Sequence, residues 1–299
     1  MNAQEFYGQY HGHNVNHLEY VLPFLRESSD RLIWTAGDSS LDNKFWFHDT
    51  APAVGAYKEV LRPPRMKQDV TYWLNALIES RRSNDGSYPK LAAINTAVEA
   101  TTLNERTFML TPQDRFLRDN IISEDILLVS IGGNDVALKP SPCTILSMCG
   151  YFRHMFGTRV QKYIDALTAK TKPTKILVCM IYFLDETPNP GWAGAALGAM
   201  GYNRDPGRLQ SFIRKVFLEA TTSIQIEGTE VIHVPLFHVL DGKNTNDYVQ
   251  RVEPSPSGGR KMAEYLLSLC PPGYDRRTKL VTSIYYHAER VSSSDSVHA

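Results

Sequence analysis

The sequence predicts an α/β fold: a three-layer α/β/α sandwich around a flavodoxin-like parallel sheet of about five strands, in the order 2-1-3-4-5. Three observations lead there. Short continuous apolar runs recur along the chain, each closed by a turn signal. Between them lie segments with apolar residues at i, i+3, i+4 and i+7, the period of a helix with one buried face. No internal repeat or linker divides the 299 residues, so 1–290 reads as one domain and 291–299 as a flexible polar tail.

The elements follow in order. Leu32-Ile33-Trp34 runs into Thr35-Ala36-Gly37, a strand ending at a glycine turn. Val70, Trp73, Leu74, Leu77 and Ile78 mark one face of a helix. Leu91 to Ile94 is a short strand, and Ile126 to Ile131 a stronger one bounded by Gly132-Gly133. Val160, Tyr163, Ile164 and Leu167 repeat the helical spacing, and Ile176 to Leu184 is the longest apolar run, suited to a buried strand. Asp205-Pro206 reads as an N-cap followed by a first-turn proline. The helix it starts carries Leu209, Phe212, Ile213, Val216, Phe217 and Ala220 on its buried stripe. Val231 to Leu236 is a further strand, Met262, Tyr265, Leu266 and Leu269 mark a last long helix, and Leu280 to Tyr286 suits an added edge strand. Strands alternating with helices call for a parallel sheet covered on both faces.

Composition narrows the function. Hydrophobic residues are 42% and charged residues 21%, which excludes a disordered, collagen-like or coiled-coil chain. Lys+Arg and Asp+Glu are 32 each, leaving no net field to draw nucleic acid or anionic membrane. No stretch approaches the roughly 20 apolar residues of a membrane helix. Met1-Asn2-Ala3-Gln4-Glu5 does not open a signal peptide. The four cysteines, Cys143, Cys149, Cys179 and Cys270, form no CxxC pair. They read as buried or idle thiols in a cytoplasmic protein without structural zinc. No cofactor motif appears: the turn after the first strand lacks a phosphate-cradling glycine loop. Oligomeric state is not fixed by the pattern.

Ligands of open parallel sheets bind beyond the carboxyl ends of the strands. The first strand delivers Gly37-Asp38-Ser39-Ser40-Leu41-Asp42-Asn43 there, and the middle strand Gly132-Gly133-Asn134-Asp135. The last delivers Phe237-His238 and a polar loop through Asp247 to Glu253. Ser39, where the chain turns into a following helix, offers a hydroxyl to a substrate and its N–H to an oxyanion. Serine at such a turn also commonly caps a helix. Asn134 can donate its side-chain amide to the same oxyanion, as no carboxylate can. Asparagine after Gly-Gly is also a common turn residue.

Together, Gly37-Asp38-Ser39 after one strand and Gly132-Gly133-Asn134-Asp135 after another resemble the SGNH (GDSL-type) hydrolases, esterases and lipases on a flavodoxin-like sandwich. The resemblance implies Ser39 as nucleophile, Asn134 as an oxyanion donor and a small-molecule ester as substrate. Asn95-Thr96-Ala97-Val98-Glu99-Ala100-Thr101 is similar to the family's second block, with Ala100 in place of a glycine whose N–H also holds the oxyanion. Alanine keeps that N–H unless the backbone needs a positive φ. The fourth block departs. Where the family has D-x-x-H-P, this chain has Gln250-Arg251-Val252-Glu253-Pro254, so Glu253 replaces the histidine and Gln250 the aspartate.

Serine needs a base within hydrogen-bond reach, and an ordinary glutamate, pKa ~4.3, is a poor one unless burial raises it. Three readings follow. Glu253 is the base, oriented by Gln250. Or His238 reaches Ser39, steered by Asp247 or Asp241. Or the site binds a ligand or protein partner without hydrolysing it. A structural Glu253 would pair with Arg251, Arg260 or Lys261, and a structural His238 would be half-buried at a strand end. His233 reads as core, as does Phe45-Trp46-Phe47. Gly191 to Tyr202 has no charge and reads as an apolar lid with Trp192 or Met200 against an acyl chain, or as a helix packed through its small residues. The His11-x-His13-x-x-x-His17 cluster has no carboxylate or cysteine partner at ligand spacing and reads as a solvated terminus.

Overall fold

The structure, a computed structural model, describes residues 1–137, 149–189 and 192–270. Five strands form one parallel sheet: β1 (Arg31–Gly37), β2 (Leu91–Asn95), β3 (Ile126–Ser130), β4 (Lys175–Met180) and β5 (Glu230–Pro235). Their order across the sheet is β2-β1-β3-β4-β5, the order that the alternation of elements predicts. Every residue of β2, β3 and β4 is buried, as both-sided coverage requires. Side chains alternate between the layers: Leu32 and Trp34 enter one core cluster, and Ile33 between them enters the other.

The principal helices are α1 (Ala3–Gly8), α2 (Val15–Ser28), α3 (Val70–Asn84), α4 (Pro112–Asn120), α5 (Val160–Leu167), α6 (Trp192–Ala199), α7 (Pro206–Glu219) and α8 (Pro256–Ser268). The apolar stripes of α3 and α8 cover one face of the sheet, and those of α2, α4, α5 and α7 the other. Asp205 caps α7 through the Arg208 N–H, with Pro206 in the first turn. Among the described residues no helix is long and apolar enough to cross a membrane.

One buried carboxylate fastens α2 to the sheet. Asp125 takes both terminal nitrogens of the Arg26 guanidinium at 2.6 Å, the Trp34 indole N–H at 2.8 Å and the Leu32 N–H at 2.9 Å. With so many donors its charge is paid for locally, although Asp125 has no exposure.

Several expectations need correction. After β1 the chain makes one turn, Leu41 and Asp42 N–H donating to Asp38 C=O, and no helix begins at Ser39. Phe45 is exposed and packs on Tyr10, leaving only Phe47 of its triplet buried. His233 is half-buried because β5 is an edge strand, and it bonds Ile224 C=O. His13 is buried to 1% exposure and His17 is half-buried, so of the three N-terminal histidines only His11 is solvated. Phe6 stacks on its ring at 4.1 Å as α1 folds back over the sheet edge. Cys179 and Cys270 are buried thiols. Cys143, the 280–286 strand and the 291–299 tail lie outside the described residues.

The carboxyl ends of β1 and β3 meet with almost no clearance. Gly37 pairs with Ser130 at φ +133°, and a Cβ there would sit 1.7 Å from Ser130 C=O. Gly37→Ala is therefore expected to destabilise the fold by about 3 kcal/mol or more, combining backbone strain with overpacking. The urea midpoint measures it, and an unchanged midpoint would contradict the packing described.

Candidate active site

Four chain segments converge above the carboxyl ends of β1 and β3. Asp38, the first residue past β1, ties two of them together. Its Oδ1 accepts the Ser40 N–H at 3.0 Å and its Oδ2 the Gly132 N–H at 3.1 Å, while its own N–H donates to Ser130 C=O. Ser40 Oγ adds a 2.6 Å bond to Ser130 Oγ. The turn carrying Ser39 and the short helix Gly133–Ala137 carrying Asn134 are thus held as one unit.

The second block is drawn in from the side. Asn134 Nδ2 donates to Thr101 C=O at 2.9 Å, and Asp135 accepts the Leu103 and Asn104 N–H groups. The buried Arg106 guanidinium spans Asp114, Thr101 Oγ1 and Gly37 C=O. Nothing in the sequence motifs marks Arg106, although a lone arginine three residues into a polar loop is the kind of side chain that stitches carbonyls. Ala100 adopts φ +58°, the left-handed region where glycine is at ease. The chain keeps this conformation with a methyl group present. Among the described residues, the N–H groups of Ser39 and Ala100 donate to no backbone carbonyl.

Glu253 arrives from the far end of the chain. Tyr248–Val249 and Glu253–Pro254 form a small antiparallel ladder whose turn has positive φ at Gln250 (51°) and Arg251 (70°). Two successive left-handed residues make the tight turn that such a ladder needs, at a cost in strain for non-glycine residues. Arg251 secures it: its guanidinium donates to Asp185 C=O and Asn203 Oδ1, and its C=O accepts the Asp185 N–H. Asn43 Nδ2 grips Pro254 C=O at 2.7 Å and Tyr182 OH grips Val252 C=O at 2.7 Å.

Between them these anchors set the Glu253 carboxylate beside Ser39, whose Oγ donates to Oε1 at 2.9 Å. The second carboxylate oxygen, Oε2, is buried without a hydrogen-bond partner. Burial pushes the Glu253 pKa up to about 8, Asp38 and Asp42 add to the rise, and the Ser39 hydrogen bond opposes it. The cations near Glu253 in sequence are engaged elsewhere: Arg251 as above, Arg260 with Glu264 and Lys261 with Asp247. Gln250 is exposed and, among the described residues, makes no hydrogen bond to Glu253. His238 is exposed beyond β5, packed edge-on to Phe237, and is not on the cavity wall. Asp247 bonds Ser257 and Lys261 rather than a histidine.

Ser39, Asn134 and Glu253 share one narrow cavity of about 80 Å³. Its remaining wall is mostly apolar, with Ile181 and Leu184 beyond β4, Ala196 and Leu197 of α6, Met200, and Leu209 and Ile213 of α7. Within the uncharged 191–202 segment, Trp192–Ala199 is a helix, packed through Ala193 and Ala196 against this cavity, with Tyr202 OH bonded to Leu184 C=O.

No protein-family model and no curated protein matches the chain. Among solved structures it is similar to a lipase from a goat rumen metagenome, with 12% identity, TM-score 0.49, and 82% of this chain and 100% of that one covered. It is also similar to an extracellular lipase from Streptomyces rimosus, with 14% identity, TM-score 0.44, and coverage of 80% and 99%. An acetylxylan esterase from Geobacillus stearothermophilus has 14% identity, TM-score 0.43, and coverage of 80% and 94%.

Because the folded state raises the Glu253 pKa from 4.5 to about 8, it binds this proton more tightly than the unfolded chain does. Stability from this group is therefore full below about pH 4 and is lost as pH rises toward 8. Glu253→Gln is expected to be more stable than the parent at pH 7, net on the order of 1–2 kcal/mol once the amide's unpaired N–H is counted. Urea unfolding at pH 7 and pH 4 checks this; the gain should vanish at pH 4.

Proposed function

We propose that the chain is a serine ester hydrolase of the SGNH type in which a glutamate has taken over the work of the histidine. One observation carries this reading: the 2.9 Å hydrogen bond from Ser39 Oγ to Glu253 Oε1 on the wall of a cavity that also holds Asn134. The geometry meets the requirement that a base lie within hydrogen-bond reach of the proton it removes. The raised pKa meets the other requirement, since a proton acceptor near pH 8 is far more effective than an ordinary glutamate.

In this mechanism Ser39 Oγ attacks the ester carbonyl carbon as its proton passes to Glu253 Oε1. The carbonyl oxygen becomes an oxyanion, held by the Asn134 side-chain amide and the N–H groups of Ser39 and Ala100. Collapse breaks the bond to the alcohol oxygen, which takes the proton back from Glu253, and leaves an acyl group on Ser39. Water then repeats the sequence, giving its proton to Glu253 and its oxygen to the acyl carbon, and Ser39 recovers its hydrogen. The apolar walls suit the acyl side of the ester.

A non-hydrolytic reading has one observation in its favour: a buried carboxyl with a pKa near 8 is largely protonated at neutral pH and can donate to a ligand oxygen. Turnover separates the two. With p-nitrophenyl acetate and butyrate, kcat/KM of the parent should rise with pH to a half-maximum near 8, because only ionised Glu253 accepts the proton. Ser39→Ala and Glu253→Gln should lose at least about 10³-fold, and a fluorophosphonate probe should label Ser39. No turnover at any pH, or equal turnover in Ser39→Ala, would remove the hydrolase.

Asn134→Ala should lower kcat by about 10²–10³ with little change in KM, the signature of a donor that acts on the transition state. Equal losses in kcat and in ground-state binding would instead make Asn134 a brace for Thr101.

A further inference from the structure

Beneath the Ser39 turn, at the edge of the sheet next to β2, the fold gathers a second polar group that the hydrolysis scheme does not use. His13 from the loop after α1, Asp42 from the loop after β1 and Asp69 from the residue before α3 are 1%, 0% and 1% exposed. A ring nitrogen of His13 and one carboxylate oxygen each from Asp42 and Asp69 lie within 4.8 Å of one another. His13 Nδ1 is committed to Phe6 C=O at 2.8 Å, which fixes the tautomer that bares Nε2. Among the described residues Nε2 makes no hydrogen bond. An imidazole fixed through its other nitrogen by a backbone carbonyl is the usual preparation of a metal ligand.

Asp69 is also under-used. Its Oδ1 caps α3 through the Tyr72 N–H at 2.7 Å, whereas its Oδ2 has only a 3.5 Å approach from Asn95 Nδ2. Lys44 Nζ sits between both oxygens of Asp42 and both oxygens of Glu99, at 2.9–3.0 Å. Lys44 thus bridges Asp42 and Glu99, and Lys67 is a second cation within electrostatic reach of Asp42, Glu99 and Asp69. Half-buried Lys67 forms no ion pair among the described residues.

We propose that His13, Asp42 and Asp69 bind a divalent transition-metal ion, Zn²⁺ or Mn²⁺, with water completing its coordination. One imidazole nitrogen and two carboxylate oxygens suit these ions better than Ca²⁺ or Mg²⁺, which prefer oxygen alone. The ligands come from three separate segments, so the ion pins the N-terminal segment to the loops after β1 and before α3. Its role is structural, and Asp42 couples it electrostatically to Glu253.

The test uses the full chain, measured for metal content before and after EDTA dialysis and then titrated with ZnCl₂, MnCl₂, MgCl₂ and CaCl₂. The parent should hold or take up one equivalent of Zn²⁺ or Mn²⁺, with a rise in Tm that Mg²⁺ and Ca²⁺ do not reproduce. Asp69→Asn keeps the helix cap and should weaken binding at least tenfold, as should His13→Gln, with circular dichroism confirming the fold. His17→Gln, which alters the neighbouring histidine, should bind like the parent. Absence of stoichiometric uptake by the parent, or uptake by Asp69→Asn equal to the parent's, overturns the site.

Discussion

The site depends first on the Asp38 carboxylate. It lies fully inside the protein, and burial raises its pKa, so it is an expensive group to place there. It repays that cost by accepting one N–H from each of two loops, those of Ser40 and Gly132, which start from adjacent strands. A neutral side chain of the same size could hold one such N–H well, but it would bring an unwanted donor or lose an acceptor. The 1.7 Å limit at Gly37 works in the same direction, since only with no side chain there can β1 and β3 end flush. Ser39 and Asn134 are separated by much of the N-terminal half of the chain. The sheet and one carboxylate together reduce that separation to the width of a cavity.

Glu253 shows the opposite economy. Its oxygen Oε1 has one partner, Oε2 has none, and the nearest charges are the carboxylates Asp38 and Asp42. The bare Oε2 and the two carboxylates work against its ionised form and outweigh the Ser39 hydrogen bond, so the same surroundings that cost stability raise its affinity for a proton. A histidine at this position would need an acid behind it to fix its tautomer. The exposed Gln250, in the corresponding place, makes no such contact. A carboxylic acid has no tautomer to fix; dehydration alone tunes it. The change at Gln250 and the change at Glu253 therefore belong together physically.

The sheet was legible because its strands are apolar through and through and its helices keep a strict period. Ile126–Ser130 and Lys175–Met180 could hardly be anything but buried strands. The pairing of Ser39 with Glu253 rather than with His238 was not decided by sequence. It turns on where a two-residue ladder places one side chain, and ladder geometry depends on distant anchors such as Asn43 and Tyr182. The buried N-terminal histidine was missed for a related reason. Ligand spacing can be read along a chain only when the ligands share an element, whereas Asp42 and Asp69 reach His13 through the fold. Arg106 left no local signal, because its partners Asp114, Thr101 and Gly37 are scattered along the sequence.

The contrast in how the catalytic candidates are supported bears on which of them could change chemistry. Ser39 and Asn134 stand on strand ends, where a shift in backbone would break the β1–β3 ladder. Glu253 stands on a connector whose position is set by side-chain anchors: Asn43 to Pro254, Tyr182 to Val252 and Arg251 to Asp185. None of these contacts touches the Glu253 side chain. The connector therefore places whatever residue follows Val252 at the same point beside Ser39, whether imidazole or carboxyl. What decides function there is the proton affinity of that residue, and in a cavity lined by Ile181, Leu184, Leu209 and Ile213 the scarcity of water raises that of a carboxylate. In the proposed mechanism, an apolar wall that suits an acyl chain is thus also what makes a glutamate a competent base.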